Sequence, residues 1–346
     1  MNHKATALGI MSGSSLDGLD LCLATFSQNG SRWDFNINDC LTIELPKNLK
    51  SKLHESANLS QEALSRLDHE YGDFIAAAAK DMAPKAQIIG LHGHTVFHSP
   101  ADKISLQIGS AQVVASRTGI PTVGNFRMKD ILLGGQGAPL VPLGEKLLFP
   151  EYSAFLNLGG ICNCTFKTST EKWLAGDIGP FNQVFNFYAN HLGHAIDRGG
   201  ELARSGEVIP SLLEQWNRLE FFSLPFPKSL GNDWVRENFF ELKEKPTDVL
   251  ATFAEFISTK IACQIDEFSS TQILTTGGGT LNAFLIQQIQ NKTSSKIVIP
   301  PLQILEFKEA LIFGFLGLLK ELHIPNVLSS ATGASVDSCS GDLYFP

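Results

Sequence analysis

The fold is decided by residues 6–26, which read TALGIMSGSSLDGLDLCLATF. Two β-type runs, residues 6–11 and 19–26, flank a segment rich in glycine and serine. Short strands on either side of such a turn are typical of a β-hairpin rather than of a strand that leads into a helix. We therefore predict that the chain opens with a hairpin that has a glycine-bearing loop.

The second half of the chain repeats this pattern. Residues 153–158 and 161–167 are predicted strands, and Gly159 and Gly160 form the turn between them. A later predicted strand, residues 272–275, leads into Gly277, Gly278 and Gly279, and a helix is predicted over residues 283–290. Two halves that each open with such a hairpin and mix strands with helices predict a duplicated α/β fold with a cleft between the halves.

Further elements follow from periodicity and from turn residues. Helices are predicted over residues 60–82, 111–118, 249–268 and 307–322, strands over 86–91 and 173–175, a short strand in the C-terminal tail, and an irregular loop over 224–245. The glycine-rich stretch GGQGAP, residues 134–139, is the predicted crossing between the halves. We expect one domain to comprise residues 1–125 and about 330–346, and the other to comprise residues 126–329.

Composition narrows the class of protein. The 346 residues include 27 Lys or Arg and 35 Asp or Glu, which gives a net charge of −8. An acidic chain without a basic tract disfavours nucleic acid or an anionic membrane as the main partner. Apolar residues make up 43% of the chain and charged residues 18%, which excludes intrinsic disorder. The longest uncharged apolar stretch, residues 310–319, is far shorter than a membrane span.

The N-terminal sequence and the cysteines indicate a cytoplasmic protein. Residues 1–15 lack the apolar block and the small-residue cleavage site of a signal peptide. The 6 cysteines are scattered without a CxxC pair, which is typical of reduced thiols. Cys162 and Cys164 alternate along a predicted strand, so we expect them to serve packing rather than metal binding.

Three glycine turns are candidate phosphate or nucleotide sites. Glycine and serine let backbone N–H groups converge on an anion, and an ordinary hairpin turn is the alternative for the first loop. No GK[ST] of a P-loop kinase follows that loop, and no GxGxxG of a Rossmann dehydrogenase follows the first strand. Asp17 or Asp20 could lie near a magnesium ion, which prefers carboxylate, water and phosphate oxygens. The candidate nucleotide-binding residues are Gly13, Ser14, Ser15, Leu16, Asp17, Gly18, Leu19, Asp20, Gly159, Gly160, Gly277, Gly278 and Gly279.

A carboxylate on a rigid segment is a candidate general base. Asp177 begins the sequence Asp-Ile-Gly-Pro, and glycine and proline restrict the backbone that follows it. We expect Asp177 on a tight turn after the strand 173–175, where a fixed carboxylate can accept a proton. The alternative is that Asp177 caps its own turn.

Arg127 and the histidines near residue 94 are candidate substrate contacts. The forked guanidinium of Arg127 can bind a substrate carboxylate, or it can pair with Asp130. The turn HGHT, residues 92–95, offers two imidazoles, and His98 lies four residues beyond His94. Metal ligation lacks an obvious third ligand there, so we favour hydrogen bonds to substrate or to the structure.

Taken together, these segments resemble the anhydro-N-acetylmuramic acid kinase family. The shared motifs, in order, are GIMSGSSLDGLD (9–20), GLHGHTVFHSP (90–100), FRMKDILLGGQGAPLVP (126–142), NLGGICN (157–163), GDIGP (176–180), TTGGGTLN (275–282) and NVLSSATGA (326–334). The resemblance runs from about residue 6 to the C-terminus. It implies the fold of the sugar kinase, Hsp70 and actin superfamily, an actin-like ATPase α/β fold with two ribonuclease-H-like domains around an ATP cleft.

The resemblance also implies an activity. It implies a kinase of cell-wall recycling that uses Mg-ATP and water to open the 1,6-anhydro ring of anhydro-N-acetylmuramic acid and to phosphorylate O6. The products are N-acetylmuramic acid 6-phosphate and ADP. By resemblance, the loop at residues 13–20 binds the ATP phosphates, Asp177 activates water, and Arg127 binds the lactyl carboxylate.

The resemblance also implies Asn182 as a substrate contact, and His94 of the HGHT turn is the remaining candidate substrate contact. The implied cofactors are ATP and Mg²⁺. The expected partners are the sugar and ATP, with neither nucleic acid nor a membrane, and a homodimer is the assembly that we consider.

The chain departs from the usual family pattern in three places. The usual DTGPGN reads Asp177-Ile-Gly-Pro-Phe-Asn182, a usual Asp is Asn186, and HGQT is HGHT. The bulk of Phe181 could narrow the sugar pocket or alter its preference. The alternatives are therefore a kinase of the same fold for another sugar and a catalytically impaired, ATP-binding regulatory protein.

Overall fold

The computed structural model describes residues 3–13, 16, 18–268 and 270–346. The chain forms two compact units: unit 1 comprises Met1–Pro150 with Phe307–Pro346, and unit 2 comprises Glu151–Glu306. This division differs from the predicted boundaries after residues 125 and 329. The GGQGAP stretch lies within unit 1, because the Asp130 carboxylate accepts hydrogen bonds from Gly137 N (2.8 Å) and from Thr332 Oγ1 (2.7 Å).

The elements alternate along the chain as an α/β fold requires. The strands are β1 (Lys4–Met11), β2 (Leu19–Asn29), β3 (Arg32–Ile43), β4 (Ile88–Leu91), β5 (His94–Ser99), β6 (Ile104–Ile108), β7 (Thr122–Gly124), β8 (Ala154–Leu158), β9 (Ile161–Lys167), β10 (Trp173–Pro180), β11 (Gln272–Thr276), β12 (Lys296–Val298) and β13 (Asp342–Tyr344). The helices are α1 (Lys47–His54), α2 (Gln61–Ala78), α3 (Ala111–Thr118), α4 (Met128–Leu132), α5 (Val141–Leu148), α6 (Asn182–His191), α7 (Glu201–Ser205), α8 (Pro210–Asn217), α9 (Asn232–Phe239), α10 (Pro246–Glu267), α11 (Ala283–Lys292), α12 (Leu302–Glu321) and α13 (Ser329–Thr332).

Both units contain a sheet with the same strand order. In unit 1 the order is β13-β7-β4-β1-β2-β3, with β1, β2 and β3 antiparallel and with β4 and β7 parallel to β1. In unit 2 the order is β10-β9-β8-β11-β12, with the first three antiparallel and the last two parallel to β8. An antiparallel meander beside parallel strands, in the order 3-2-1-4-5, is the ribonuclease-H-like arrangement. The predicted fold class and the predicted duplication are therefore confirmed.

The hairpin predictions are confirmed, and several other elements differ from the prediction. β1 pairs with β2 and β8 pairs with β9, in each case antiparallel. The helix predicted from residue 60 is α2, and the Ser60 side chain caps it by accepting a hydrogen bond from Ala63 N (3.3 Å). The prediction of an irregular loop over residues 224–245 is wrong in part, because α9 lies within it. β3 and the β5–β6 hairpin were not predicted.

Helix α12 packs directly against the sheet of unit 1. A Cβ atom on Gly9 of β1 would lie 1.7 Å from the Ala310 carbonyl oxygen, and one on Gly90 of β4 would lie 2.0 Å from the Phe313 carbonyl oxygen. On the helix side, Gly314 and Gly317 face Gly9 and Gly90 in the same way. Glycine is required on both sides because the two backbones approach too closely for any side chain. Among the helices that the described residues form, none is both long enough and apolar enough to span a membrane.

Candidate active site

In unit 1, the predicted phosphate loop joins β1 to β2. Ser14, Ser15 and Asp17 lie outside the described residues. Leu16 has a left-handed backbone (φ 54°), and its N–H donates to the Gly13 carbonyl (3.2 Å). The side chains of Leu16 and Leu19 are buried in the core of unit 1. Any contact that these two leucines make with a nucleotide is therefore through the main chain.

Asp20 lies at the start of β2, beside Glu309 on α12. Asp20 Oδ1 accepts a hydrogen bond from Thr42 Oγ1 (2.6 Å), and a Cβ on Gly18 would lie 2.6 Å from the methyl group of the same threonine. Burial raises the pKa of Glu309, the nearby charges of Glu145 and Asp20 raise it further, and those of Lys308 and Arg127 lower it. Acidic groups therefore cluster at this edge of unit 1.

Arg127 is fixed by His92, at the end of β4. Arg127 Nη2 lies 2.7 Å from His92 Nε2, and Nη1 donates to the Gly137 carbonyl (2.8 Å). A guanidinium can only donate, so His92 Nε2 accepts, and Nδ1 carries the proton that is donated to the Gly93 carbonyl (2.7 Å). Burial, followed by the charge of Arg127, lowers the pKa of His92 to about 3, so the imidazole stays neutral.

Arg127 is half-buried, and no carboxylate among the described residues is hydrogen-bonded to its guanidinium. Burial lowers the pKa of Arg127 to about 10, and its Nε atom is buried without a hydrogen-bond partner in that part of the chain. The alternative that Arg127 pairs with Asp130 is wrong, because among the described residues the guanidinium hydrogen-bonds to Gly137 O and His92 and forms no ion pair with Asp130. The Asp130 oxygens accept from Thr332 Oγ1 and Gly137 N instead. A half-buried cation with a free donor is the environment in which an anionic group binds strongly.

His94 and His98, the other histidines of this region, lie on β5. His94 is the first residue of β5 rather than part of a turn. Its Nδ1 atom is buried without a hydrogen-bond partner among the described residues, and burial lowers its pKa. His98 Nδ1 lies 3.1 Å from Ser105 Oγ across the β5–β6 hairpin. Within the described ranges, no group of three His, Cys, Asp or Glu side chains could hold a metal ion.

In unit 2, we call Gly159 and Gly160, between β8 and β9, the hairpin glycines. Their carbonyl groups accept hydrogen bonds from the first amides of α6: Asn182 N donates to Gly159 O (3.1 Å) and Phe181 N to Gly160 O (2.9 Å). The side-chain Nδ2 of Asn182 donates to Leu158 O (3.1 Å). Neither hairpin glycine donates its own N–H to another described residue. These two N–H groups are therefore available for a ligand.

Gly277, Gly278 and Gly279, which we call the glycine triplet, follow β11 beside the end of β8. Gly277 has φ 90°, and a Cβ on Gly279 would lie 2.3 Å from Phe181 Cε1. The left-handed backbone therefore favours glycine at residue 277, and the close contact with Phe181 requires it at residue 279. A Cβ on Gly278 would meet nothing within 4 Å, so packing does not explain this glycine. The adjacent Thr276 Oγ1 is buried without a partner among the described residues.

Asp177 lies within β10. The sequence analysis placed it on a tight turn after the strand, and this prediction is wrong. The strand continues to Pro180, and the pairing with β9 shifts register between Asp177 and Gly179. Asp177 Oδ2 accepts hydrogen bonds from Leu230 N (2.7 Å) and Ser229 Oγ (3.2 Å), and its own N–H donates to Lys228 O (2.8 Å). Its Oδ1 has no hydrogen-bond partner among the described residues. Burial raises the pKa of Asp177, and the two hydrogen bonds partly oppose this shift.

The side chain of Phe181, which the sequence analysis considered for the sugar pocket, belongs to the core of unit 2. Its side chain is 0% exposed and packs edge-on against Phe185, with ring centroids 5.5 Å apart. The ring belongs to the hydrophobic core of unit 2, together with Ile178. The two bulky departures from the usual family pattern, Ile178 and Phe181, therefore extend the core of unit 2, and the Phe181 ring does so beside Gly279.

Several residues of the site were missed at the sequence level. They are Glu309, the buried ion pair between Lys308 and Glu145 (2.6 Å), and the loop residues Ser229 and Leu230 that bond Asp177. Each of these residues contacts a group that is distant in the sequence, so the spacing of residues along the chain could not predict the contact. The sequence HGH did signal a polar turn at His92, but not that this histidine accepts from Arg127.

Two ribonuclease-H-like units, each with an antiparallel meander beside parallel strands, define a protein of the actin-like ATPase and sugar kinase fold class. A family model for anhydro-N-acetylmuramic acid kinase matches residues 5–346. An anhydro-N-acetylmuramic acid kinase of Actinobacillus pleuropneumoniae serotype 7 (strain AP76) is 32% identical over 99% of both chains. One of Aliivibrio fischeri is 33% identical over 97% of this chain and 98% of the relative. The chain belongs to the anhydro-N-acetylmuramic acid kinase family, and it is a kinase.

Solved structures align over most of the chain at low identity. Component A of the Acidaminococcus fermentans (R)-2-hydroxyglutaryl-CoA dehydratase covers 92% of this chain with 99% of its own, at 11% identity and a TM-score of 0.47. A ROK family glucokinase from Streptomyces griseus covers 90% of this chain with 99% of its own, at 11% identity and a TM-score of 0.42.

Proposed function

We propose that the protein opens the 1,6-anhydro ring of anhydro-N-acetylmuramic acid with water and phosphorylates O6 with ATP. The products are N-acetylmuramic acid 6-phosphate and ADP, as expected of a kinase in cell-wall recycling. The observation that carries the proposal is the combination of a base and a phosphate cradle in one sheet of unit 2. Asp177 on β10 pairs with Asn163 on β9, and β9 begins directly after the hairpin glycines.

Asp177 is the proposed general base. Its Oδ2 atom is held by Ser229 and Leu230, which leaves Oδ1 to accept a proton from the attacking water. Water bonds to C1 as the bond from C1 to O6 breaks, and O6 then bonds to the γ-phosphorus while ADP leaves. A raised pKa suits this role, because a carboxylate with a higher pKa is the stronger base.

The hairpin glycines and the glycine triplet are the proposed nucleotide site of unit 2. Free N–H groups at Gly159 and Gly160 can donate to phosphate oxygens, and the open space at Gly278 leaves room for the nucleotide to approach the backbone. Phosphoryl transfer depends mainly on positioning and on charge stabilisation, which fixed amides provide.

Mg²⁺ is the proposed metal, and the donor set of unit 1 fits it. Mg²⁺ is usually held by one or two carboxylates together with water and phosphate oxygens rather than by a protein cage. Asp20, with Glu309 near it, provides such carboxylates at the end of the β1–β2 hairpin. When bound, the ion neutralises charge on the transferring phosphoryl group.

Arg127 is the proposed site for the lactyl carboxylate, and the assay uses this feature of the substrate. ADP release is measured with anhydro-N-acetylmuramic acid and with a panel of ordinary hexoses. We expect turnover with the anhydro sugar only, because a hexose has neither the strained ring nor the carboxylate. Turnover with another sugar instead would favour a kinase of the same fold with a different substrate, and ATP binding without any turnover would favour a regulatory protein.

The variant Asp177→Asn tests the proposed base. An amide oxygen can still accept the hydrogen bond from Leu230 N, so we expect ATP affinity to stay within about twofold while turnover falls about 10²–10⁴-fold. ATP affinity is measured by calorimetry and turnover by ADP release. Full turnover in this variant would remove Asp177 from the mechanism.

The location and the assembly are proposals as well. We propose the cytoplasm, where cysteines stay reduced, and none of the 6 cysteines forms a disulfide in the described part of the chain. We propose a homodimer in solution. Cell fractionation tests the cytoplasmic location. Light scattering after gel filtration tests the homodimer, and a monomer mass would contradict it.

A further inference from the structure

Phe181 is attached to both glycine turns of unit 2, although it belongs to neither. Its backbone N–H donates to the carbonyl of Gly160 (2.9 Å), at the turn between β8 and β9. Its ring lies against the other turn, because a Cβ on Gly279 would be 2.3 Å from Phe181 Cε1. The side chain is fully buried, so it cannot touch a ligand bound on the surface of either turn.

The contacts of Phe181 and Asn182 also decide where the hairpin N–H groups point. In a trans peptide the C=O and N–H groups point in opposite directions. The carbonyl of Leu158 accepts from Asn182 Nδ2 and that of Gly159 accepts from Asn182 N, both at 3.1 Å. The N–H groups of the same two peptides belong to Gly159 and Gly160, and they are therefore directed away from α6.

The ring of Phe181 sets the position of the glycine triplet relative to this hairpin. A Cβ on Gly279 would also lie 2.8 Å from Leu158 Cβ, so Gly279 packs between the ring and the last residue of β8. Gly277 contacts the main chain of Leu158 in the same manner, with its Cβ position 2.7 Å from Leu158 C. A smaller side chain at residue 181 would remove one wall of this packing, and the triplet could then move toward α6.

We propose that Phe181 is a positioning residue for ATP, which sets the spacing between the hairpin glycines and the glycine triplet without touching the nucleotide. The proposal rests on the proposed function, because it takes the two turns as the nucleotide site. It assigns no contact with the sugar to Phe181. A substitution of Phe181 should therefore change the KM for ATP and leave the KM for the sugar nearly unchanged.

The experiment compares Phe181→Leu with Phe185→Leu. Phe185 is the matched control, because its ring is 2% exposed and packs against the rings of Phe181 and Phe253, and no contact with either turn is among those described. Both variants remove part of one buried ring from the same core. For each variant the KM for ATP, the KM for the anhydro sugar, kcat and the melting temperature are measured, and ATP affinity is measured by calorimetry.

For Phe181→Leu we expect the KM for ATP to rise about tenfold while the KM for the sugar changes less than about twofold. For Phe185→Leu we expect a similar loss of melting temperature with the KM for ATP within about twofold of the parent value. Phe181→Met, which is long enough to fill more of the space, should recover part of the ATP affinity and gives a second variant if the leucine variant fails to fold.

Two results would overturn the inference. One is an equal rise in the KM for ATP in both leucine variants, which would show a general effect of core packing. The other is a rise in the KM for the sugar alone in Phe181→Leu. If the unaltered protein binds no ATP in calorimetry, the proposed function fails instead, and the two failures are thereby distinguished.

Discussion

A single hydroxyl group is expected to tune the basicity of Asp177. Ser229 Oγ donates to Asp177 Oδ2 (3.2 Å), and a hydrogen bond to the ionised form lowers the pKa of a carboxyl. In Ser229→Ala the pKa of Asp177 should therefore rise, and the acid limb of kcat/KM against pH should move upward by about 0.5–1 pH unit. Activity is lost as the pH falls through this limb, because only the ionised carboxylate accepts a proton.

The control for this pH profile is Ser223→Ala, in the same loop region. Ser223 Oγ donates to Glu220 O (2.8 Å) and not to Asp177, so its removal should leave the acid limb unchanged. Since the pKa of His92 is lowered to about 3, we expect no step in the profile near the ordinary histidine value from this residue. If the acid limb does not move in Ser229→Ala, the pKa measured from that limb belongs to a group other than Asp177.

The raised pKa of Asp177 also has a consequence for stability. The folded form retains a proton at pH values where the unfolded form has released it, so this residue's contribution falls as the pH rises from the ordinary value to the raised one. Above that window Asp177 destabilises the fold. A base that is effective in catalysis is here a cost to the fold, as in other buried functional sites.

Arg127 is expected to act on the carboxylate of the substrate alone. In Arg127→Gln the KM for the anhydro sugar should rise about 10–100-fold, because a charge-assisted hydrogen bond is lost. A 1,6-anhydro sugar without the lactyl group should be turned over equally by the variant and by the parent. Lys129→Gln, on the exposed side of α4, is the control, and an equal loss with both sugars would assign Arg127 a structural role instead.

At the scale of elements, glycines set how α12 lies on the sheet of unit 1. In Gly9→Ala the new methyl group would lie 1.7 Å from the Ala310 carbonyl, so α12 would have to move. We expect a loss of about 2–3 kcal/mol in the free energy of unfolding, although alanine suits a strand better than glycine does. The denaturant midpoint checks this.

Gly231→Ala serves as the control for that measurement. A Cβ there meets nothing within 4 Å, but Gly231 is the N-cap of α9, where alanine is less favourable than glycine. We therefore expect a loss below about 1 kcal/mol, smaller than that of Gly9→Ala. An unchanged midpoint in Gly9→Ala would mean that α12 is not held where the close contact lies. The same packing brings Glu309 beside Asp20, so a moved helix should also weaken the proposed Mg²⁺ site.

The elements that the sequence revealed are those whose signals are local. β1, β2, β8 and β9 are buried and apolar around glycine turns, so their pattern is strong. β3 was missed because most of its side chains are exposed or half-buried and include Asp34, Asn36 and Asp39, which suit a loop equally well. A helix such as α9, inside a segment rich in Phe and Pro, is stabilised by core contacts of Val235 and Phe239 that no local rule predicts.

The residues of the candidate site also differ in whether a local sequence pattern indicates them. The glycine turns and Asp177 could be proposed from the sequence because glycine after a strand and an acid beside Gly-Pro are local sequence patterns. The orientation of the hairpin N–H groups depends on Asn182, about twenty residues away, and Glu309 reaches Asp20 only through the packing of α12. The burial of the Phe181 ring in the core of unit 2 was not predicted for the same reason, because spacing gives the position of a ring but not the side to which it points.

At the scale of the whole molecule, the two units differ in how the chain builds them. Unit 2 is one continuous segment, and its hydrophobic core comprises residues between Ala154 and Ile297 only. Unit 1 is built from two segments, because α12 and β13 return to the sheet that the first 150 residues form. The buried residues of α12 include Leu311, Phe315 and Leu318, so the N-terminal segment alone lacks part of its core.

The fragment of residues 151–306 is therefore expected to fold by itself, and the fragment of residues 1–150 is not. The first keeps all five strands of its sheet and the helices α6 to α11, whereas the second exposes Gly9 and Gly90 and the apolar surface that α12 covers. Circular dichroism and a cooperative urea transition should show this difference. If the fragment 151–306 unfolds without cooperativity, its core depends on residues outside the segment. If the fragment 1–150 folds cooperatively, the contacts of α12 add little to the stability of unit 1.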